Sequence, residues 1–279
     1  MSKTLSLTSM AIALAIPAFA TTYYVNDATG NDGNSGTAPD AALKTIAKGV
    51  EKATTDGDVI EVAAGTYTIS SQITVAKAIT IRGQDPDLTT IDAQDACRIF
   101  NVTAAATIES LRLYRGKGGV GQGGAGACLT AGGTLCACVV DSCLSPGSGG
   151  APAGTAVSLS GGSIAENCVI RNTRASINGG IKGAGVYIDN GILRDSIVTG
   201  SHRTGYADAI DVGAVYLNKG TVERCTIAGN TLATAAGLYV NNATTCIVRD
   251  TIVWGNVTTK DSSRLRPNMN AVGAKCVLA

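Results

Sequence analysis

Residues 167–172 read NCVIRN, and close versions of that segment return along the chain: SLRLYRG at 110–116, ACVVDS at 137–142, DSIVTG at 195–200, RCTIAGN at 224–230 and DTIVWGN at 250–256. Aligned on the second apolar position, they give Leu113, Val140, Ile170, Val198, Ile227 and Val253, spaced 27, 30, 28, 29 and 26 residues apart. A second track runs beside the first: ACL at 127–129, VSL at 157–159, VYI at 186–188, VYL at 215–217 and LYV at 238–240. The runs alternate at period two and are separated by Gly, Asn and Asp, the pattern of short strands joined by turns. A β-sandwich does not need the same tripeptides every 26–30 residues. A solenoid does, because coils stacked at about 4.8 Å must present equivalent inward residues in each turn. The spacing predicts an all-β, right-handed parallel β-helix with two or three strands per coil.

Toward the N-terminus, less regular runs at 59–62, 73–75, 79–81, 90–92 and 99–102 extend the pattern. They bring the solenoid to about eight coils, a rod roughly 40 Å long. Ahead of them stand a short strand, TYYV at 22–25, and a polar loop from Asn26 to Pro39. A helix follows, with Leu43, Ile46, Ala47 and Val50 on one apolar face and Asp40 as the expected N-cap.

Residues 1–20 combine Lys3, an apolar stretch from Leu5 to Ile16, Pro17 and the triplet Ala18-Phe19-Ala20. That is the pattern of a cleaved secretory signal, and the stretch is shorter than the ~20 residues of a membrane span. The expected organisation is a signal at 1–20, a strand, loop and helix at 21–58, the β-helix at 59–256, and a tail or partial cap at 257–279. A protein so exported is expected in the medium or on the cell surface. An unprotected last coil would invite self-association through the C-terminal end.

The 279 residues carry a net charge of +1, with 35 Gly, 45% hydrophobic, 15% charged and 4% aromatic residues. The apolar content excludes disorder, and the absence of basic runs leaves no electrostatic footprint for nucleic acid. Without Lys3 the remaining 21 basic and 21 acidic residues balance, so any anion must be bound by a local cluster.

The stretches YYVNDATGNDGNSGT, ALKTIAKGVEKA, GDVIEVAAGTYT and AITIRG, together with the later CTIAGNT and TIVWGN, resemble the pectate-lyase-like superfamily of right-handed parallel β-helix proteins. The resemblance spans residues 22–256, is specific for fold, and implies that the N-terminal helix caps the first coil. It implies secretion and dealings with polysaccharide, but the superfamily holds lyases, glycoside hydrolases, adhesins and surface rods. Its lyases remove the C5 proton of a uronic acid with a Lys or Arg base while Ca²⁺ or another cation neutralises the neighbouring carboxylate.

The residues offering such chemistry here are Lys182, Arg203 and Lys219 as bases and Asp208 and Asp211 as ligands for calcium, with His202 among them. Solvated turn charges are the competing reading. Paired carboxylates for hydrolysis would come from Asp208 with Asp211, or Asp189 with Asp195. One histidine excludes a multi-His zinc site, and no Gly-x-Ser-x-Gly elbow is present. The oxygens of Asp27, Asn31, Asp32 and Asn34 suit either Ca²⁺ or a tight turn, and the spacing favours the turn.

Tyr187, Tyr216 and Tyr239 fall at equivalent positions of three consecutive repeats, predicting an exposed aromatic ladder that either binds glycan or stabilises the sheet. Cys138, Cys168 and Cys225 align with Ser196 and Thr251, as small side chains at a tight core position do. Some of the nine cysteines are expected to pair after export, for example Cys136 with Cys143 or Cys246 with Cys276. Two functions emerge: a β-helix that binds extended polysaccharide or serves as an adhesin-like rod, and a uronic-acid lyase of the same fold.

Overall fold

The computed structural model describes residues 19–119, 122–147, 154–177, 181–203, 211–233, 235–241, 244–259 and 268–271. Every strand pairing in it is parallel, and sequence neighbours pair with the rung before and the rung after. The chain is a right-handed parallel β-helix. A middle rung shows the plan: Val157–Ser160 on the first face, Ile164–Glu166 on the second, Val169–Arg171 on the third and Arg174–Ile177 on the fourth. The repeat therefore holds four strands where its two recurring tracks predicted two or three. Among the described residues the third face stacks eight strands and the fourth five, so complete rungs there are fewer than the eight expected from the strand count.

Inward positions coincide from rung to rung. On the third face Tyr67, Ile91, Leu113, Val140, Ile170, Val198, Ile227 and Val253 are register partners in one column. All but the last are buried. Each contributes about 1.5–3 kcal/mol through apolar burial, and shifting a strand by one residue would turn its column into solvent.

Two corners per rung use left-handed backbone. Ser110, Ala137, Asn167, Asp195, Arg224 and Asp250, with φ between 49° and 56°, turn the chain from the second face to the third. Arg115, Ser142, Asn172, Gly200, Gly229 and Gly255 do the same between the third and fourth. These residues flank the repeated segment, so the hexapeptide is a strand with its two bends. Right after the first corner come Cys138, Cys168, Ser196, Cys225 and Thr251. The Ser196 hydroxyl donates to Arg194 O at 2.6 Å, and the Cys168 and Cys225 thiols donate to Glu166 O and Glu223 O at 3.1 and 3.2 Å. A small donor at this position satisfies the bent backbone inside the core.

The N-terminal end is closed by the helix Ile46–Lys52, which is shorter than the periodicity predicted. Thr45, not Asp40, is its N-cap, its hydroxyl accepting from Lys48 N at 3.2 Å. Leu43 is drawn out of the helix by a parallel bridge to Val25, and Pro39–Ala41 forms a separate 3-10 turn. The Asp27–Asn34 loop is a turn: both Asp32 oxygens are taken by Lys44 N, Thr45 N and the Thr45 hydroxyl, and Asn31 caps Gly33 N. Beyond residue 256, Val257–Thr258 and Met269–Ala271 continue the stacking.

All eight described cysteines are free. Cys136 lies on an outward column of the second face while Cys143 is buried, so these two do not pair; Cys276 is outside the described residues. Residues 1–18 of the signal expected at 1–20 also lie outside them. Among the described residues no helix is long and apolar enough to cross a membrane.

Candidate functional site

The outward residues of the first face change character along the rod. One column runs Asn101, Cys128, Ser158, Tyr187, Tyr216, Tyr239, small and polar at first and aromatic over three rungs. The expected tyrosine ladder forms. Ring centroids lie 5.5 Å apart for Tyr187–Tyr216 and 5.1 Å for Tyr216–Tyr239, with interplanar angles of 19° and 12°. It is less exposed than predicted: Tyr216 is only 4% accessible, because rings one rung apart cover each other's faces. Tyr187 and Tyr239 remain half-buried.

Two residues further along, Asp189, Asn218 and Asn241 form a hydrogen-bonded chain beside the rings. Asn218 Nδ2 donates to Asp189 Oδ1 at 2.9 Å, and Asn241 Nδ2 donates to Asn218 Oδ1 at 2.7 Å. Lys182 approaches the column too, its Nζ 5.8 Å from the Tyr216 centroid. Burial raises the Tyr216 hydroxyl to about 12, helped by the neighbouring tyrosines and Asp189. Burial and then Asp189 raise that of Tyr187. These hydroxyls stay protonated near neutrality and can donate to an uncharged acceptor.

The remaining sequence candidates are spread around the rung. Lys182 belongs to a two-residue strand paired with Asp211–Val212, which sets Lys182 and Asp211 in adjacent rungs. Arg203 lies on the fourth face opposite Ala175. Lys219 sits past the tyrosine column, opposite Asp189, where the strand Val215–Glu223 bends from the first face to the second. Gly220 makes that bend at φ 121°; a Cβ there would meet Gly191 O at 2.1 Å. Thus Lys182 and Lys219 flank the tyrosines, while Arg203 belongs to another face. His202, beside Arg203, has its Nδ1 3.1 Å from Gly200 O. Asp208 is outside the described residues, as is the side chain of Asp211. Asp189 and Asp195 do not converge: Asp195 occupies a corner, held by Arg224 at 2.7 and 2.8 Å. Among the described residues no three His, Cys, Asp or Glu side chains are grouped as metal ligands.

Sequence reasoning missed an ionic cluster on the third face and its corner with the fourth. Asp141 Oδ2 accepts from Arg112 at 2.7 Å and Arg171 at 2.9 Å, and its Oδ1 from Ser142 and Asn172. Arg115 holds Asp92, Arg174 holds Asp95 at 2.6 Å, and the Arg112 and Arg115 guanidiniums lie 4.4 and 5.0 Å from the Tyr114 ring centre. The guanidinium and carboxylate partners are 23 to 79 residues apart in sequence, and only the register reveals them. Each carboxylate here already has a guanidinium, which leaves none poised as a general acid.

A solved structure of a rhamnogalacturonan lyase resembles the chain over 91% of this sequence and 85% of its own, at 14% identity and a TM-score of 0.36. No curated protein matches. The family described as rhamnogalacturonase A/epimerase, pectate lyase-like, matches residues 25–273. That match covers nearly the whole solenoid and its N-terminal cap, and it relates the chain to β-helix proteins that act on polysaccharides. The chain belongs to the pectate lyase-like family of rhamnogalacturonase A and epimerase.

Proposed function

We propose that this protein is exported and binds extended polysaccharide along the first face of its rod, and that binding rather than bond cleavage is its role. The observation that carries this reading is the pair of parallel columns: Tyr187, Tyr216 and Tyr239 beside the Asp189–Asn218–Asn241 chain. Each rung repeats an aromatic edge with a hydroxyl next to an amide or carboxylate, a surface that meets successive sugars alike. The central ring is enclosed and fixes its neighbours, so a ligand contacts ring edges, hydroxyls and amides, with Tyr187 and Tyr239 the accessible ends.

The second reading is a lyase. It is favoured by one observation, that Lys182 lies in register with the strand carrying Asp211 at the edge of the tyrosine column. In that case Lys182, Arg203 or Lys219 takes the C5 proton of a uronic acid and Asp208 and Asp211 hold calcium.

One experiment separates the two. The protein is titrated with uronic-acid and neutral polysaccharides while ultraviolet absorbance is followed with and without Ca²⁺. Binding without absorbance change, weakened about tenfold or more by Tyr187→Ala or Tyr239→Ala, supports the binding rod. A calcium-dependent rise removed by Lys182→Ala would establish the lyase instead.

A further inference from the structure

At the other end of the rod an open cleft of about 480 Å³ lies between the first strand, the 3-10 turn and the start of the second face. Its size is within the range of ~300–1,000 Å³ typical of small-ligand sites. Five polar residues line it: Thr22, Tyr24, Asn26, Glu61 and Gln84. Tyr24 is the register partner of Glu61, which sets an aromatic ring beside a carboxylate on adjacent strands.

Their hydrogen-bonding capacity is largely uncommitted. Asn26 uses its side-chain oxygen to cap Ala28 N and Thr29 N, which leaves its amide nitrogen as a donor. Among the described residues Gln84 bonds only through its backbone N–H, to the Thr89 hydroxyl. Among the described residues the Tyr24 and Thr22 hydroxyls have no hydrogen-bond partner. An aromatic ring with amide donors and hydroxyl and carboxylate acceptors around it is complementary to a pyranose, which has apolar C–H faces and hydroxyls at its rim.

Charge decides which sugar. Glu61 accepts from Arg82 Nη1 at 3.0 Å, but Arg82 also holds Glu109, so two carboxylates share one guanidinium. The cleft borders the acid and not the base, so a uronate would meet a carboxylate whose charge is only partly offset. We propose that this cleft binds a neutral sugar unit, making it a second saccharide site at the capped end of the rod, independent of the tyrosine face.

The test is ligand-observed NMR with the full chain and a panel of cellobiose, galactobiose, maltose and digalacturonate. Expected is saturation transfer to at least one neutral disaccharide. That binding should weaken about tenfold or more in Tyr24→Ala and in Gln84→Ala, persist in Tyr187→Ala, and exceed digalacturonate binding at low salt. Gln84→Ala lies on the surface and guards against a folding defect in Tyr24→Ala, checked by thermal melting. The proposal is overturned if no neutral disaccharide binds, if both cleft variants bind as wild type does, or if digalacturonate is the tighter ligand. Because the tyrosine face is read with long polymers and its own variants, loss of one site leaves the other measurable.

Discussion

Single residues pin this fold at its corners. Asn167, Asp195 and Asp250 are natural occupants of left-handed backbone, but Ala137 takes φ 49° with no side-chain hydrogen bond to favour it. Glycine removes the Cβ conflict at the expense of some unfolded-chain entropy. Ala137→Gly should therefore stabilise the protein by about 0.5–1 kcal/mol, and Ala137→Val should destabilise it by more than that, in urea denaturation. If both changes prove destabilising, corner strain is the wrong account of that position. The neighbouring Cys136 offers a second test. Outward on the second face, register partners run Glu61, Arg82, Glu109, Cys136, Glu166, Arg194, Glu223, Arg249, alternating in sign except at the cysteine. Cross-strand opposite charges contribute roughly 0.2–1 kcal/mol each, so Cys136→Arg, facing Glu109 and Glu166, should raise stability by up to about 1 kcal/mol. The gain should shrink in high salt, and a change insensitive to salt would point away from ion pairing.

Strands and faces show which features could be read in the chain and which could not. The third-face column from Leu113 to Val253 and the tyrosine ladder were legible because each rung repeats the same residue type at the same phase. Stacking then only had to bring them together. On the second face only the runs at 59–62 and 79–81 were legible, and on the fourth none, since Ala165 and Leu193, or Leu144 and Arg174, share no common type to align. The ion pairs were hidden for a related reason: their partners sit on different rungs, at separations of 23 to 79 residues that vary with loop length and with the number of rungs spanned. The cluster around Asp141 nevertheless sets how the sheet responds to acid. Burial would raise the carboxyls of Asp92 and Asp141, but hydrogen bonds outweigh it, from Arg115 and Gln94 N on Asp92 and from Asn172, Ser142 and Arg171 on Asp141. Both are thereby held below the ordinary Asp value of 3.8. Groups with lowered folded values stabilise fully above the unfolded value and lose that contribution as pH falls through the folded one. The melting temperature should hold down to about pH 4 and then drop, and Asp141→Asn should be less stable at pH 7 with a shallower acid fall. An equally steep fall in that variant would assign the acid transition to other carboxylates.

At the scale of the whole molecule the two ends differ. The first rung is closed by Ile46–Lys52, with Gly49 packed so closely that a Cβ would stand 3.0 Å from Ile60 and 3.1 Å from Val25. At the other end, Ile252–Trp254 pairs with Thr226–Ala228 and Val257–Thr258 pairs with Thr231–Leu232, and among the described residues neither has a partner strand on its far side. The same rung turns apolar side chains outward, with Ile252 62% and Trp254 73% accessible. Open strand edges next to exposed apolar residues are what sheet proteins otherwise avoid, since both are satisfied by another chain. Two copies meeting at these ends would pair antiparallel about a two-fold axis, and the capped first rung would stop further growth, so a closed dimer is expected rather than a filament. Analytical ultracentrifugation across a concentration series should show monomers passing to dimers, and Ile252→Lys with Trp254→Lys should hold the protein monomeric at every concentration. Monomers throughout in the unmodified chain would mean that other residues already cover this edge, and species larger than dimers would show that the capped end also associates.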